Sequence, residues 1–243
     1  MQDYDDLTYG ERIAAVYDDL YAGCEEDTVD LLEELAAGGC VLELGIGTGR
    51  VALPLAERGL HVAGIDASPV MIEKLRAKPG GEEIPIAIGS FAEIPMDERF
   101  NLIFVVFNTF FALLTQEEQV RCFRSVAAHL ADDGRFLLEL FVPDLARFDD
   151  HQAVRLVELS EEEVRLDAAS HDIVNQQVTS QHIHISRDGV RLYPVKLRYA
   201  WPAELDLMAA LAGLTLKERW GSWQREPVTK ASTRHISVYA RAG

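Results

Sequence analysis

The chain has 243 residues, 48% of them hydrophobic and 26% charged, with a formal net charge of −17. That length suits one large α/β domain with an insertion and a sizeable core, and the acidic balance argues against a nucleic-acid partner, because the lysines and arginines are dispersed among acids. No apolar run approaches a bilayer span, so no membrane is expected; the acidic start Met1-Gln2-Asp3-Tyr4-Asp5-Asp6 is unlike a signal peptide, and Cys24, Cys40 and Cys122 lack metal spacing and read as core thiols of a cytoplasmic protein.

Residues 1–38 are expected to form a helical cap. Tyr9, Tyr17 and Tyr21 lie in two helical stretches interleaved with acids, and Tyr17 and Tyr21, at i and i+4, share one face. The stretch Val41-Leu42-Glu43-Leu44-Gly45-Ile46-Gly47-Thr48-Gly49-Arg50 then reads as a strand running into a glycine turn. Glycine takes positive φ and lacks the Cβ that keeps a ligand away from backbone amides, so Gly45, Gly47 and Gly49 form a cradle for a nucleotide-like cofactor. A second short strand, 60–66, ends in Asp66, twenty-one residues beyond Gly45. Ser68 and Pro69 open the next helix as N-cap and first residue, with Met71 early in it.

A third run, 84–88, leads to Gly89-Ser90-Phe91, and a fourth, 100–107, to Asn108-Thr109-Phe110-Phe111. Ligands of open α/β sheets bind at such carboxyl ends. Thr115-Gln116-Glu117-Glu118 is a capping box for a helix ending near Leu130, and Asp133-Gly134 turns the chain into a fifth strand, 135–142. Alternating strands and helices from Val41 to Val142 predict a parallel sheet covered on both faces. From about 152 to 200 the apolar period falls to nearly two, with Arg187-Asp188-Gly189 at a turn, which predicts an inserted antiparallel flap over 146–200. A helix over 202–211 and strands over 214–222 and 234–240 follow, so the core comprises 39–145 and 201–243.

Two cofactor classes use such a turn. The dinucleotide fingerprint needs glycine at its first, third and sixth positions, and the sixth from Gly45 is Arg50. Glu43 through Arg50 instead resembles the first motif of the class I S-adenosylmethionine-dependent methyltransferases, in their small-molecule branch. The resemblance implies a seven-stranded Rossmann-like doubly wound sheet, S-adenosylmethionine as cofactor and S-adenosylhomocysteine as product. It implies that Glu43 and the three glycines face the cofactor, that Asp66 accepts both ribose hydroxyls, and that Ala67 or Met71 walls the adenine. Met71 reads equally as core. Where many relatives place Gly-Asp, this chain has Gly89-Ser90, so the adenine contact falls to Ser90 and Phe91. Asn108 lies beside the transferable methyl or simply bonds its own loop. One of Tyr9, Tyr17 and Tyr21 faces the sulfonium, and Arg50 pairs with the cofactor carboxylate or is solvated at the helix start.

No catalytic residue can be named; Asn108 and Tyr21 are the candidates for lining the reaction centre. His182 and His184, two apart on a strand, read as a substrate-facing pair, metal ligands or a solvated face, without a third ligand in sight, so no metal is expected. Trp201, Trp220 and Trp223 read as core or as a pocket wall. The expected activity is methyl transfer to a small molecule, most simply to an amine nitrogen, because an amine that arrives neutral needs little help from a base. Small-molecule O- or C-methylation, nicotinamide-dependent oxidoreduction and a non-catalytic cofactor-binding module are the alternatives. A monomer or homodimer is expected.

Overall fold

The computed structural model describes residues 4, 5 and 7–242; Met1, Gln2, Asp3 and Asp6 of the acidic start, and Gly243, lie outside the described residues. Helices α1 (Thr8–Ile13), α2 (Tyr17–Leu20) and α3 (Glu26–Ala36) precede the first strand, and Tyr21 follows α2 directly. The strands of the main sheet are β1 (Val41–Leu44), β2 (Val62–Asp66), β3 (Ile86–Ile88), β4 (Phe100–Val105) and β5 (Leu130–Phe141), joined by α4 (Ala52–Glu57), α5 (Pro69–Arg76) and α6 (Gln116–His129). The flap comprises β6 (Gln152–Leu159), β7 (Glu163–Asp172), β8 (Gln177–Ser186) and β9 (Gly189–Arg198), after which α7 (Pro202–Leu211), β10 (Leu214–Trp220) and β11 (Arg234–Arg241) complete the chain.

The seven-stranded sheet has the order β10-β11-β5-β4-β1-β2-β3, and the flap is a separate antiparallel sheet in chain order. Pairings β1–β2, β2–β3, β1–β4 and β4–β5 are parallel, whereas β11 runs against both neighbours. The chain therefore builds outward from β1 in one direction and, beginning with β4, in the other. The carboxyl ends of β1 and β4 bound a crevice, the usual place for a ligand in an open α/β sheet.

Helices on both faces explain why the central strands read as unbroken apolar runs. Leu42, Leu44, Ile103 and Val105 pack into one core layer with Phe110, Phe123 and Phe136, while Val41, Leu102 and Phe104 pack into the other with Leu32, Leu55 and Leu75. Ser68 accepts from the Met71 N–H with Pro69 at the first helical position, and Thr115 and Glu118 complete a reciprocal capping box.

Local expectations and structure part in a few places. The third strand starts at Ile86 rather than Ile84. Asp133-Gly134 lies inside β5 rather than before it: pairing slips from Phe100↔Leu130 to Leu102↔Arg135, so the dipeptide sits in a bulge. A Cβ on Gly134 would stand 2.9 Å from the Phe100 carbonyl oxygen. Cys122 is a core thiol, but Cys24 is half-buried and Cys40 exposed. Trp220 and Trp223 are core residues, and Trp201 is exposed.

One buried network ties flap to core. Arg198, on β9, donates to Gln119 Oε1 of α6 at 2.6 Å and to Glu204 Oε1 of α7 at 2.7 Å, while Gln119 returns a bond to the Arg198 carbonyl at 2.8 Å. Gln176 adds a 2.7 Å bond to the other Glu204 oxygen. Removing Arg198 takes the cation from Glu204 but leaves it the Gln116 and Gln176 donors at 2.8 and 2.7 Å, so the loss falls below the about 3–5 kcal/mol of a fully buried pair. Arg198→Met is therefore expected to lower the thermal midpoint by several degrees, with part of the loss recovered by adding Glu204→Gln; a melting curve unchanged by Arg198→Met would remove this network from the stability account.

Candidate functional site

The carboxyl ends of β1, β2 and β4 enclose a cavity of about 220 Å³. Tyr9, Tyr17, Gly45, Gly47, Asp66, Ala67, Met71, Ser90, Phe91 and Asn108 all line it, drawing together residues that the sequence reading had singled out one at a time. A larger groove of about 800 Å³ opens beside Cys40, His61, Pro85 and Phe100. These residues lie at the amino ends of the strands, away from the glycine turn and the crevice.

The three glycines have different duties. All take positive φ, at +72°, +55° and +78° for Gly45, Gly47 and Gly49. A Cβ on Gly45 would collide with the Thr109 methyl group, so that glycine lets the loop after β4 close on the turn. A Cβ on Gly49 would press on Leu75 and Leu53 at 3.0–3.1 Å, so its duty is helix packing; it does not line the cavity. Gly47 faces the cavity, where a Cβ would stand 3.7 Å from Met71 Cε and 4.0 Å from Asp66 Oδ2. Of the three, Gly45 and Gly47 line the cavity, with the clearest opening at Gly47.

Asp66 accepts from the Gly47 N–H at 2.7 Å and from the Ser68 N–H at 2.8 Å. Burial raises its pKa, opposed by the N–H donors of Ser68, Gly47 and Ala67. A carboxylate offers about four lone-pair sites, so capacity for a ligand's hydroxyls remains. Ser90 accepts from the Ala92 N–H at 3.3 Å and Phe91 is buried; both line the wall beyond Asp66. Met71 answers both of its readings, being buried in the small cluster with Ile13, Ala14 and Tyr193 and lining the cavity as well.

Glu43, Arg50 and Tyr21 do not line the cavity; they stand behind it as a second layer. Glu43 is buried with Oε2 unbonded, and burial pushes its pKa up to about 8 despite the Arg50 charge and the Ala52 N–H. The Arg50 guanidinium lies 4.7 Å from the Phe107 ring centroid, reaches the Gly23 carbonyl at 3.3 Å, and is near enough for its charge to act on the Tyr17 hydroxyl, so it is engaged rather than free at the helix start. Tyr21 packs edge-on against Phe107 at 5.0 Å and lies 5.1 Å from Tyr17.

Phe107 escaped the sequence reading. It and Asn108 hold positive φ, +59° and +64°, and for a bulky aromatic that conformation is costly enough to mark a functional loop. Asn108 Oδ1 accepts from the Phe141 N–H at 2.6 Å, so its side chain clamps the β4 loop onto β5 while its residue lines the cavity. Also unread was a latch on the cap: Asp18 accepts from the Thr48 hydroxyl at 2.6 Å and from Lys78 Nζ at 2.9 Å, and Lys78 reaches the Thr48 carbonyl at 2.8 Å. Despite a burial penalty, these two donors hold the Asp18 pKa below its usual value.

The flap supplies Val195 and Leu197 to the cavity. His182 and His184 lie on its inward-turned face beside carboxylates, 3.5 Å from Asp167 and 3.7 Å from Glu163, and remain partly exposed, with 33% and 17% of their side chains accessible. His171 is buried, bonded to the Tyr199 hydroxyl at 2.9 Å, and His235 is buried against Ser237 at 2.8 Å.

Comparison with known proteins follows the same lines. A family model described as a methyltransferase domain matches residues 41–134. The cypemycin N-terminal methyltransferase of a Streptomyces species is 29% identical over 205 residues, 84% of each chain. An uncharacterized methyltransferase of Staphylococcus carnosus is 31% identical over 160 residues, 62% of this chain and 72% of that one. The solved structure of the CcbJ methyltransferase from Streptomyces caelestis is 40% identical, superposes with a TM-score of 0.92, and is covered at 99% of this chain and 100% of that one.

Two outcomes test the second layer. A Glu43 pKa near 8, against 4.5 for the free side chain, means that the unfolded chain releases this proton first as pH rises, so folding stability falls between about pH 4.5 and 8 and levels off above. Glu43→Gln is expected to flatten that decline in denaturant titrations at pH 5 and pH 8; an identical slope in both proteins would contradict the buried neutral acid. Asp18→Ala, which frees the cap from Thr48 and Lys78, is expected to raise the dissociation rate of a cavity ligand at least several-fold, read by stopped-flow fluorescence, with little change in melting temperature.

Proposed function

The chain belongs to the class I S-adenosylmethionine-dependent methyltransferases, and we propose that it methylates an amine nitrogen of a small molecule held between the cavity and the flap. The observation that carries the reading is the convergence of Gly47, Asp66, Met71, Ser90, Phe91, Tyr9 and Tyr17 on one cavity at the crevice of the sheet. The choice of nitrogen leans on the cypemycin N-terminal methyltransferase, whose name states an N-terminal acceptor. Arg50 in the sixth position speaks against the nicotinamide alternative, since its bulk occupies the place of the packing glycine.

The residues present fit the cofactor. Gly47 leaves the space that a side chain would fill, and Asp66 keeps acceptor capacity for the two ribose hydroxyls. Ala67, Met71, Ser90 and Phe91 would border the adenine, and the rings of Tyr9 and Tyr17 would border the sulfonium, where a desolvated cation gains roughly 0.5–2 kcal/mol from an aromatic face. When bound, the cofactor supplies an activated methyl group on a sulfur leaving group. The protein's own part is alignment and exclusion of water, which in well-oriented systems is worth about 7–11 kcal/mol. Tyr9 and Tyr17 cover the cavity from the cap, Phe107 and Asn108 fix its floor, and Val195 and Leu197 close it from the flap. We assign 1–38 as cap, 39–145 and 201–243 as cofactor-binding core, and 146–200 as the acceptor-binding insertion, in line with loops setting specificity on a fixed scaffold.

Calorimetric titration with S-adenosylmethionine, S-adenosylhomocysteine and NADH tests the cavity assignment, followed by an amine screen for S-adenosylhomocysteine release. Saturable binding of the first two and turnover of an amine is the expected result; turnover of hydroxyl acceptors alone would overturn the choice of nitrogen. Asp66→Ala is expected to weaken S-adenosylhomocysteine binding about 10- to 100-fold with the far-ultraviolet spectrum unchanged, and Gly47→Ala to weaken it at least 10-fold, because a Cβ there enters the cavity at a positive φ. Wild-type affinity in both variants would move the site elsewhere.

A further inference from the structure

The inward face of the flap carries a histidine–carboxylate pair with no assigned duty. Strand register sets Asp167 of β7, His182 of β8 and Tyr193 of β9 side by side. Tyr193 packs with Ile13, Ala14 and Met71 beneath the cap, and Val195 and Leu197, two and four residues farther along the same strand, line the cavity, so this face is the one turned toward the site. Asp167 is only 7% exposed. Among the described residues its buried Oδ1 makes no hydrogen bond, and His182 Nδ1 faces it at 3.5 Å. About a third of the His182 side chain, 33%, stays exposed. With Nδ1 turned to the carboxylate, Nε2 is the nitrogen left for another partner.

We propose that His182, oriented by Asp167, is the base that takes the proton from the acceptor's ammonium group, and that the acceptor is a small molecule bearing a primary or secondary amine protonated at neutral pH. The inference rests on the N-methylation reading above. In the step, an N–H bond of the ammonium breaks, its electron pair stays on that nitrogen as the lone pair that methyl transfer requires, and the proton forms a new bond at His182 Nε2. The Asp167 carboxylate stabilises the imidazolium, which returns the proton to water through its exposed edge. A buried carboxylate facing the site also favours a cationic acceptor over a neutral one.

The surroundings agree. His182 holds Asp167 below the usual carboxylate range, with burial opposing and the more distant charges of Arg147 and Arg155 assisting. Arg165, on the same face, is engaged by Glu158 and by Glu163 at 2.7 Å, and His184 lies 3.7 Å from Glu163, so the neighbouring cations have acids of their own. Asp167 and Arg165 are both near enough to Tyr21 for their charges to act on its hydroxyl, which places the pair opposite the cap tyrosines.

The test uses the full-length protein with saturating S-adenosylmethionine and a panel of small primary and secondary amines, reading S-adenosylhomocysteine release from pH 6 to 10. For an amine that the wild type methylates, His182→Gln is expected to lower kcat on the order of 10²–10⁴-fold at neutral pH, with the deficit shrinking near pH 10 as the amine arrives neutral and with S-adenosylhomocysteine affinity unchanged. Asp167 is a positioning residue: Asp167→Asn is expected to lower kcat by a smaller factor than His182→Gln, with a deficit that likewise shrinks near pH 10 and with S-adenosylhomocysteine affinity unchanged. A His182→Gln enzyme with wild-type kcat, or with a deficit equal at every pH, overturns the base assignment while leaving N-methylation standing. A wild type that binds S-adenosylhomocysteine but methylates no amine overturns the N-methylation reading, and the ammonium base with it.

Discussion

The Gly47 N–H donates to the Asp66 carboxylate at 2.7 Å, and through this bond the turn after β1 and the end of β2 hold one fixed separation. The second Asp66 oxygen caps the Ser68 N–H, so the same carboxylate also sets where α5 begins and thereby where Met71 points. On the other side Thr109 fills the space left by Gly45 and brings the β4 loop against the turn. Together with the bonds from the Gly45 and Ile46 N–H groups to the Ile65 carbonyl, these contacts draw three strand ends around one cavity, to which the flap adds Val195 and Leu197.

Around that frame the groups on the cap side of the cavity are arranged in layers. Tyr9 and Tyr17 form the inner layer; Tyr21, Phe107 and Arg50 stand behind, linked by ring contacts of 5.0–5.1 Å and a guanidinium 4.7 Å over Phe107. Glu43 lies deepest, neutral by virtue of its burial. On the proposed reading the Arg50 charge, which a largely neutral Glu43 does not balance, would repel a sulfonium from the inner layer; set behind two rings it reaches the site attenuated, and the electron-rich faces of the tyrosines are the first surface met.

Local chemistry made much of this legible beforehand. The strand-turn-helix at 41–50, the acid ending the second strand, the Ser68-Pro69 helix start and the Thr115 capping box each reside within a few residues, where periodicity and hydrogen-bonding capacity decide the outcome. The flap was equally readable, since alternation and the Asp188-Gly189 turn fix hairpin register. Phe107 was not, because its positive φ goes with contacts to Glu139 and Tyr21, and with the neighbouring Asn108 clamp on Phe141, rather than with its own preference. Asp18 bonds partners 30 and 60 residues away, and Asp167 meets His182 only through sheet register, so no spacing rule announces either. The glycines were found but treated alike, since what a missing Cβ makes room for is a property of the folded neighbour.

The flap forms a hydrogen-bonded sheet of its own, sharing no ladder with the seven-stranded sheet among the described residues. Its outer strand β6 is almost entirely exposed, and the Arg198 network fastens the far end of β9 to α6 and α7. Ala169, Val178 and Leu197 on its inner face nevertheless pack into the same core layer as the central strands, whereas His182 and His184 on that face stay partly exposed. On the proposed reading, substitutions at those partly exposed positions retune acceptor preference without repacking the shared layer, so acceptor choice and foldability are separable within one module.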